Sequence, residues 1–171
     1  FNANPIHDRT GKITGTFGTA LDITLRKHTE EALRKSEEEL KKAQEIAHGN
    51  QNQAIETAHV LNGLLIADEN VIEHLLKRFN IDTNLLLQSL EEIINTFPKI
   101  SDTEKQYLST DSNKVLQKAQ KYKKELSDDY VSVEHILLGI LAIGDSVNKL
   151  LQEHNLTEKT LKQAVSDLRK G

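Results

Sequence analysis

The sequence contains no cysteine, no tryptophan and no methionine, and only two of its 171 residues are proline. Without cysteine, the chain cannot form disulfide bonds, thiol nucleophiles or zinc–thiolate sites. An excess of positive charge is also missing, because 26 acidic residues stand against 22 basic ones and the net charge is −4. The charges are interspersed, so no basic face is available to a phosphate backbone, and nucleic acid is not expected as a partner.

Long apolar runs and nucleotide-binding motifs are absent too. No stretch approaches the roughly 18 apolar residues of a membrane span, and no secretory signal pattern is found, so we predict a cytoplasmic protein with no membrane partner. The chain has no GxxxxGK[ST] run to hold phosphates. Its serines and threonines fall in helix caps and loops, without the strand-to-helix turn of a hydrolase nucleophile. We therefore expect neither an enzyme nor a cofactor.

The beginning of the chain differs in composition from the rest. Residues 1–24 combine Gly, Pro, Thr and Ile as in two strands joined by a turn, which predicts a β-hairpin. Residues 25–42 lack Gly and Pro and are dense in helix formers, which predicts a linker helix. Alternating spacings of four and three continue to residue 47 and suggest a coiled-coil seam. A dimer through residues 25–47 and a solvated helix with internal ion pairs both remain open. The seam consists of Thr29, Leu33, Ser36, Leu40, Ala43 and Ala47.

An internal repeat is the strongest signal in the sequence. Residues 42–65 align with residues 118–141 at a shift of 76 and without a gap. His59 then falls on His135 and Gly63 on Gly139. After the loss of one residue the shift becomes 75, and the match continues as far as Leu86 on Leu161. One folding unit is therefore used twice, over about 43–98 and 114–171.

Within each unit the apolar residues recur with a helical period. The pattern predicts four short helices per unit, and so an all-α domain of eight helices over 43–171, with the hairpin and the linker helix appended. Three helix starts have suitable N-cap residues, namely Asp82, Ser132 and Thr157. Pro98 ends the fourth helix, and residues 99–112 join the two units.

The paired histidines allow two interpretations. His59 and His135 lie beside a helix that the pattern buries, where we expect each imidazole to donate a hydrogen bond to a neighbouring carbonyl or helix cap and fix the packing. Gly63 and Gly139 belong to the same structural repeat. The alternative is a metal site, since Glu56 and His59 at i,i+3 face one way on a helix, as in di-iron bundles. That site needs a second such pair, and the equivalent of Glu56 is a serine, so we predict no metal.

Three sequence patterns carry a family resemblance. They are the duplicated A-Q…[AV]-x-x-x-H-[VI]-L-x-G-[LI]-L unit, the D-x-Y-V-S-x-E-H entry to the sixth helix, and the closing L-x-Q-A-V-S-D-L-R-K-G. Together they resemble the amino-terminal domain of the ClpB/Clp AAA+ unfoldase family. The resemblance implies a non-catalytic domain that binds unfolded or aggregated polypeptide, or an adaptor protein, in front of an AAA+ ring outside this chain.

The same resemblance implies where binding takes place. The family's substrate-binding surface includes an acid in the loop before the sixth helix and a glutamate in that helix, matched here by Asp128 and Glu134. Tyr130 is placed with them, and we expect Tyr130 and Val131 to enter the core as an extended pair, leaving carboxylates around an apolar groove. The first unit has no carboxylate in its loop before Glu56, so the site is expected in one repeat only.

A second resemblance covers the start of the chain. Residues 4–40 contain N-P-I-H-D-x-x-G-K-I-T-G and D-I-T-x-R-K-x-x-E-E-A-L, which are similar to the final hairpin and signalling helix of a PAS sensor domain. This resemblance implies an alternative function, a signalling or dimerisation module fused to a helical protein-interaction domain.

Overall fold

The computed structural model of the chain describes residues 6–7, 13–15, 37–68, 70–102 and 105–171. These residues form eight helices and four very short strands, so the predicted all-α class is confirmed. The strands are β1 (Ile6–His7), β2 (Ile13–Gly15), β3 (Ala54–Ile55) and β4 (Tyr107–Leu108). The helices are α1 (described over 37–49), α2 (Thr57–Ala67), α3 (Val71–Lys77), α4 (Thr83–Asn95), α5 (Thr110–Glu125), α6 (Val133–Leu141), α7 (Ser146–Gln152) and α8 (Glu158–Lys170).

The repeat is visible in the backbone itself. Gln51 after α1 and Ser127 after α5 both adopt left-handed backbone angles, with φ of 59° and 58°. Asn80 after α3 and Asn155 after α7 do the same, with φ of 54° and 58°. A left-handed residue closes the helix and turns the chain. The two units therefore share their turns at the shifts of 76 and 75 that the sequence predicted.

Each unit has a glycine where two helices meet backbone to backbone. A Cβ atom on Gly63 would lie 2.8 Å from the backbone nitrogen of Ala43 in α1. A Cβ atom on Gly139 would lie 2.5 Å from the carbonyl oxygen of Val115 in α5. No side chain fits at these distances, so glycine lets α2 approach α1 and lets α6 approach α5.

The two units share one hydrophobic core. Helices α2 and α6 lie at its centre, and almost every residue of both is buried. The fully buried large side chains include Leu61, Leu64, Leu137, Leu138 and Ile140. Polar contacts also join the units: Thr57 Oγ1 donates to the Asp145 carboxylate, and Arg78 Nη1 donates to the Ala164 carbonyl at 3.4 Å.

The predicted N-caps are confirmed. Asp82 is the N-cap of α4 and accepts hydrogen bonds from two backbone amides of the first turn, while Ser132 is the N-cap of α6 and Thr157 that of α8. The segment between the units differs from the prediction, because it contains β4 and because α5 already begins at Thr110. The reason is local, since the Ser109 side chain accepts from Ser112 N at 3.1 Å and caps the helix earlier than the apolar pattern indicates.

The predictions for the start of the chain are covered only in part. Strands β1 and β2 pair antiparallel, with Ile6 opposite Gly15. The rest of the predicted hairpin and residues 25–36 of the predicted linker helix lie outside the described residues. Two positions of the proposed dimer seam, Ala43 and Ala47, are 0% exposed inside the domain core, so they pack against this chain rather than a second one. Among the described helices, none has the length and apolar character needed to span a bilayer.

Candidate functional site

A pocket of about 430 Å³ borders the segment between α5 and α6. All three residues predicted for binding, Asp128, Tyr130 and Glu134, line this pocket. A fourth contributor, Arg169, comes from the last turn of α8 and was not predicted. The full lining consists of Ser127, Asp128, Asp129, Tyr130, Ser132, Glu134 and Arg169.

Asp128 is held from two sides. Its Oδ2 atom lies 2.8 Å from His135 Nε2 and 2.6 Å from Arg169 Nη2. Burial acts to raise the pKa of the Asp128 carboxyl, but the hydrogen bonds from Arg169 and His135 outweigh it, so the pKa lies below its usual range. The carboxylate therefore stays ionised and ties the loop to α6 and α8.

Glu134 lies in the first turn of α6, where the helix dipole favours a negative charge. The Ser132 hydroxyl donates to one of its carboxylate oxygens, and Arg169 Nη2 lies 3.8 Å from the other. The Glu134 side chain is 19% exposed, so it remains accessible from the pocket. Arg169 thus lies between two carboxylates and places a guanidinium in the pocket wall.

Tyr130 does not enter the core, so that prediction is wrong. Its side chain is 39% exposed, while the neighbouring Val131 packs against the core. Successive side chains of an extended segment point in opposite directions, which is why only one of the pair can be buried. The pocket is accordingly polar and charged, with one tyrosine at its edge, and not a carboxylate-rimmed apolar groove.

In each repeat, a buried histidine fixes the turn before the second helix. In the second unit, His135 Nδ1 accepts the backbone N–H of Ser132 at 2.8 Å, and Nε2 faces Asp128. In the first unit, His59 Nδ1 accepts the backbone N–H of Glu56 at 2.9 Å, and Nε2 lies 3.0 Å from Asn52 Oδ1. Each imidazole therefore joins the N-cap of its helix to the preceding loop. The rings accept from the caps, whereas we expected them to donate.

The metal alternative at Glu56 and His59 does not match this geometry. Both ring nitrogens of His59 are engaged in hydrogen bonds within the protein, and Glu56 serves as the N-cap of α2. Burial lowers the pKa of His59 to about 4, which keeps the imidazole neutral. Within the described part of the chain, no group of three or more His, Asp or Glu side chains is arranged to hold a metal ion.

The equivalent loop of the first unit is in contact with the segment between the units. Asn52 replaces Asp128 there, and its Nδ2 donates to the Pro98 carbonyl at 3.1 Å. Gln106 Nε2 donates to the Asn52 carbonyl at 3.0 Å. The segment between the units thus contacts the first loop (residues 51–55), whereas the equivalent second loop (residues 127–131) borders the pocket.

Comparisons with known proteins agree with this architecture. The family model of the Clp repeat (R) N-terminal domain matches residues 24–154. The chaperone protein ClpB of Bacteroides thetaiotaomicron is 39% identical over 137 residues, which cover 80% of this chain and 16% of that protein. The chain therefore spans about a sixth of the length of this relative.

Solved structures show the same fold. The Hsp104 N-terminal domain of Candida albicans superposes with a TM-score of 0.66 at 23% identity, over 78% of this chain and 88% of that one. The N-terminal domain of the caseinolytic protease-associated chaperone ClpD of Arabidopsis thaliana gives a TM-score of 0.60 at 21% identity, over 80% and 93% of the two chains.

Proposed function

The chain belongs to the Clp repeat N-terminal domain family, and from this premise we propose that it is a non-catalytic domain that binds unfolded polypeptide or an adaptor protein. In this proposal the domain acts in front of an AAA+ ring that lies outside the chain, and it works in the cytoplasm. Two relatives are named chaperone protein ClpB, which supports the proposal that this domain belongs to a chaperone. The family match gives no support to the PAS-type signalling alternative.

The pocket at the second repeat is the observation that carries the proposal. It gathers the predicted residues Asp128, Tyr130 and Glu134 around Arg169. An exposed tyrosine offers a flat apolar contact and a hydroxyl, while carboxylates beside it attract basic side chains. A shallow polar pocket of this kind suits brief engagement, because little apolar area is removed from water on binding.

Not every pocket residue is a suitable test of binding. Asp128 holds His135 and Arg169 in place, so its removal changes the fold of the loop as well as the charge. Asp129 is exposed, and Glu134 can be replaced by the isosteric glutamine, which still accepts from Ser132. The double variant Asp129→Asn with Glu134→Gln therefore removes charge from the pocket with the least structural disturbance.

The experiment is a fluorescence-anisotropy titration of labelled ribonuclease A, unfolded by reduction and carboxamidomethylation, with the wild-type chain and the double variant. We expect binding by the wild type and about a fivefold or greater loss of affinity in the variant. The matched control is Glu91→Gln with Glu92→Gln on the exposed face of α4, which changes the net charge equally and should bind like the wild type.

Each result decides a separate point. An equal loss in both double variants would show that net charge, and not the pocket, attracts the polypeptide. Failure of the wild-type chain to bind the unfolded probe would contradict the proposed function.

A further inference from the structure

The two repeats differ in what lies along the loop before their second helix. In the first repeat, β3 pairs in parallel with β4, with Ala54 opposite Tyr107 and Ile55 opposite Leu108. In the second repeat the residues equivalent to β3 are Tyr130 and Val131, at the shift of 76. They form no strand pair with any other described residue.

The first loop offers alternate carbonyls to the segment that covers it. Gln51, Gln53 and Ile55 accept backbone hydrogen bonds at 2.9, 3.1 and 3.0 Å. Alternate carbonyls of an extended chain point to the same edge, so the strand β4 and the residue after it reach the carbonyls of both Gln53 and Ile55. The donors are the N–H groups of Ile100, Tyr107 and Ser109.

The equivalent carbonyls of the second loop belong to Ser127, Asp129 and Val131. Within the described parts of the chain, no backbone N–H donates to any of the three. The Asp129 carbonyl accepts instead from the Lys123 ammonium at 3.1 Å, a solvent-exposed contact that water or another donor can replace.

The pocket borders the second loop at residues whose counterparts in the first loop contact the segment between the units. Its lining includes Ser127, Asp129 and Tyr130, the counterparts of Gln51, Gln53 and Ala54. Ile55 is buried under β4, whereas its counterpart Val131 is only half-buried. The first repeat therefore shows, within the same molecule, how an extended segment fits against this loop.

We propose that residues 127–131 form a docking edge, on which an extended, cationic polypeptide segment adds as a parallel strand in the position that β4 takes on the first repeat. This inference rests on the proposed function and states how that site holds its substrate. The N–H groups of the bound strand donate to the carbonyls of Asp129 and Val131 and replace the lysine contact.

The charge of the pocket determines which kind of polypeptide segment can bind at the docking edge. The pocket contains three carboxylates and one guanidinium, and that guanidinium is already paired with Asp128. Asp129 and Glu134 also line the pocket, and Glu134 has one oxygen 3.8 Å from the same guanidinium, so the negative charges outnumber the positive one. A lysine or arginine of the bound strand would meet these two carboxylates, whereas an acidic segment would be repelled.

The test uses a short fluorescein-labelled peptide that alternates valine and threonine and has one central lysine to fix its register. Two further versions carry N-methyl groups on alternate amides, one on the odd set and one on the even set. Because alternate N–H groups of a strand point to opposite edges, only one set can reach the docking edge. We expect that one methylated version loses about tenfold or more in affinity and that the other binds like the parent peptide.

The outcomes separate this inference from the proposed function. Equal effects of the two methylation sets, with the unfolded ribonuclease still bound, would overturn strand addition and leave the binding function standing. Loss of both the peptide and the ribonuclease would remove the function itself. A dimer of the free chain that the peptide dissociates would make a second copy the occupant and would also overturn the assignment.

A second readout locates the contact on the protein. Hydrogen exchange followed by NMR should show that the parent peptide slows exchange of the Val131 amide, since its counterpart Ile55 lies in the β3–β4 ladder. The Ile55 amide itself serves as the control and should not change. An unchanged exchange rate at Val131 with saturating peptide would contradict strand addition.

Discussion

The Nε2 atom of His135 lies 2.8 Å from a carboxylate oxygen of Asp128, and that same oxygen accepts from Arg169. In the first repeat the equivalent His59 faces Asn52, whose amide holds the Pro98 carbonyl instead. The equivalent residues Asn52 and Asp128 therefore both hold the histidine of their repeat. Only Asp128 also adds a negative charge to an open pocket. Variants of Asp128 will consequently mix effects on stability and on binding.

Replacement of Asp128 by alanine should destabilise the chain by about 2 kcal/mol, because a buried histidine nitrogen and an arginine lose their shared partner. Urea unfolding followed by circular dichroism at pH 7 measures the change. The neighbouring Asp129→Ala is the control and should stay within about 0.5 kcal/mol of wild type, as is usual for exposed positions. Equal stability of the two variants would contradict the structural role of Asp128.

His59 should make stability depend on pH. Its pKa is lowered to about 4 in the folded chain, below the ordinary value of 6.5, so the unfolded chain binds the proton first as the pH falls. The contribution of the neutral imidazole is therefore complete above pH 6.5 and is lost between pH 6.5 and 4. It amounts to about 3 kcal/mol at most.

The comparison that isolates this effect is between the wild type and His59→Gln. The variant should be less stable at neutral pH, and the gap between the two unfolding free energies should narrow as the pH falls towards 4. Chemical denaturation at a series of pH values measures it. A gap that is constant over this range would show that His59 is not the titrating group.

The two helix crossings should not tolerate a methyl group. Gly63→Ala and Gly139→Ala would each place a Cβ atom within 3 Å of backbone atoms of the facing helix. We expect losses of about 2 kcal/mol or more in unfolding free energy, despite the helix preference of alanine. Gly144→Ala is the control, because no atom lies within 4 Å of its added Cβ. Wild-type stability of both crossing variants would contradict the close approach of the helices.

The left-handed turn residues offer a stabilising substitution. Gln51 has a φ of 59°, a region that costs a residue with a Cβ atom about 1 kcal/mol. Gln51→Gly should therefore raise the unfolding free energy by a few tenths to about 1 kcal/mol. Asn155→Gly should gain less, because asparagine tolerates this region. A loss of stability on Gln51→Gly would contradict the turn geometry.

The internal repeat explains why so much of the fold could be predicted from the sequence. A shift of 76 places matching histidines and glycines in register, and local patterns give the caps at Asp82 and Ser132. The contacts that the sequence does not predict join residues far apart in the chain. Arg169 lies 41 residues from Asp128, and no local pattern marks their pairing.

The errors have a similar origin. The sequence predicts that Tyr130 and Val131 enter the core as an extended pair, although the alternation of an extended segment exposes one of the two. The pairing of β3 with β4 is also non-local, since it joins residues on either side of α2, α3 and α4. Sequence patterns report local periodicity, whereas the pocket depends on which distant segment covers each loop.

The most direct test of the account is an NMR titration of the ¹⁵N-labelled chain with unlabelled, unfolded ribonuclease A. The account predicts that the amide shifts and line broadening concentrate at residues 127–134 and at Arg169, and that the equivalent first loop, residues 51–58, stays unchanged. Changes centred on the first loop, or no changes at a saturating concentration of the probe, would contradict it.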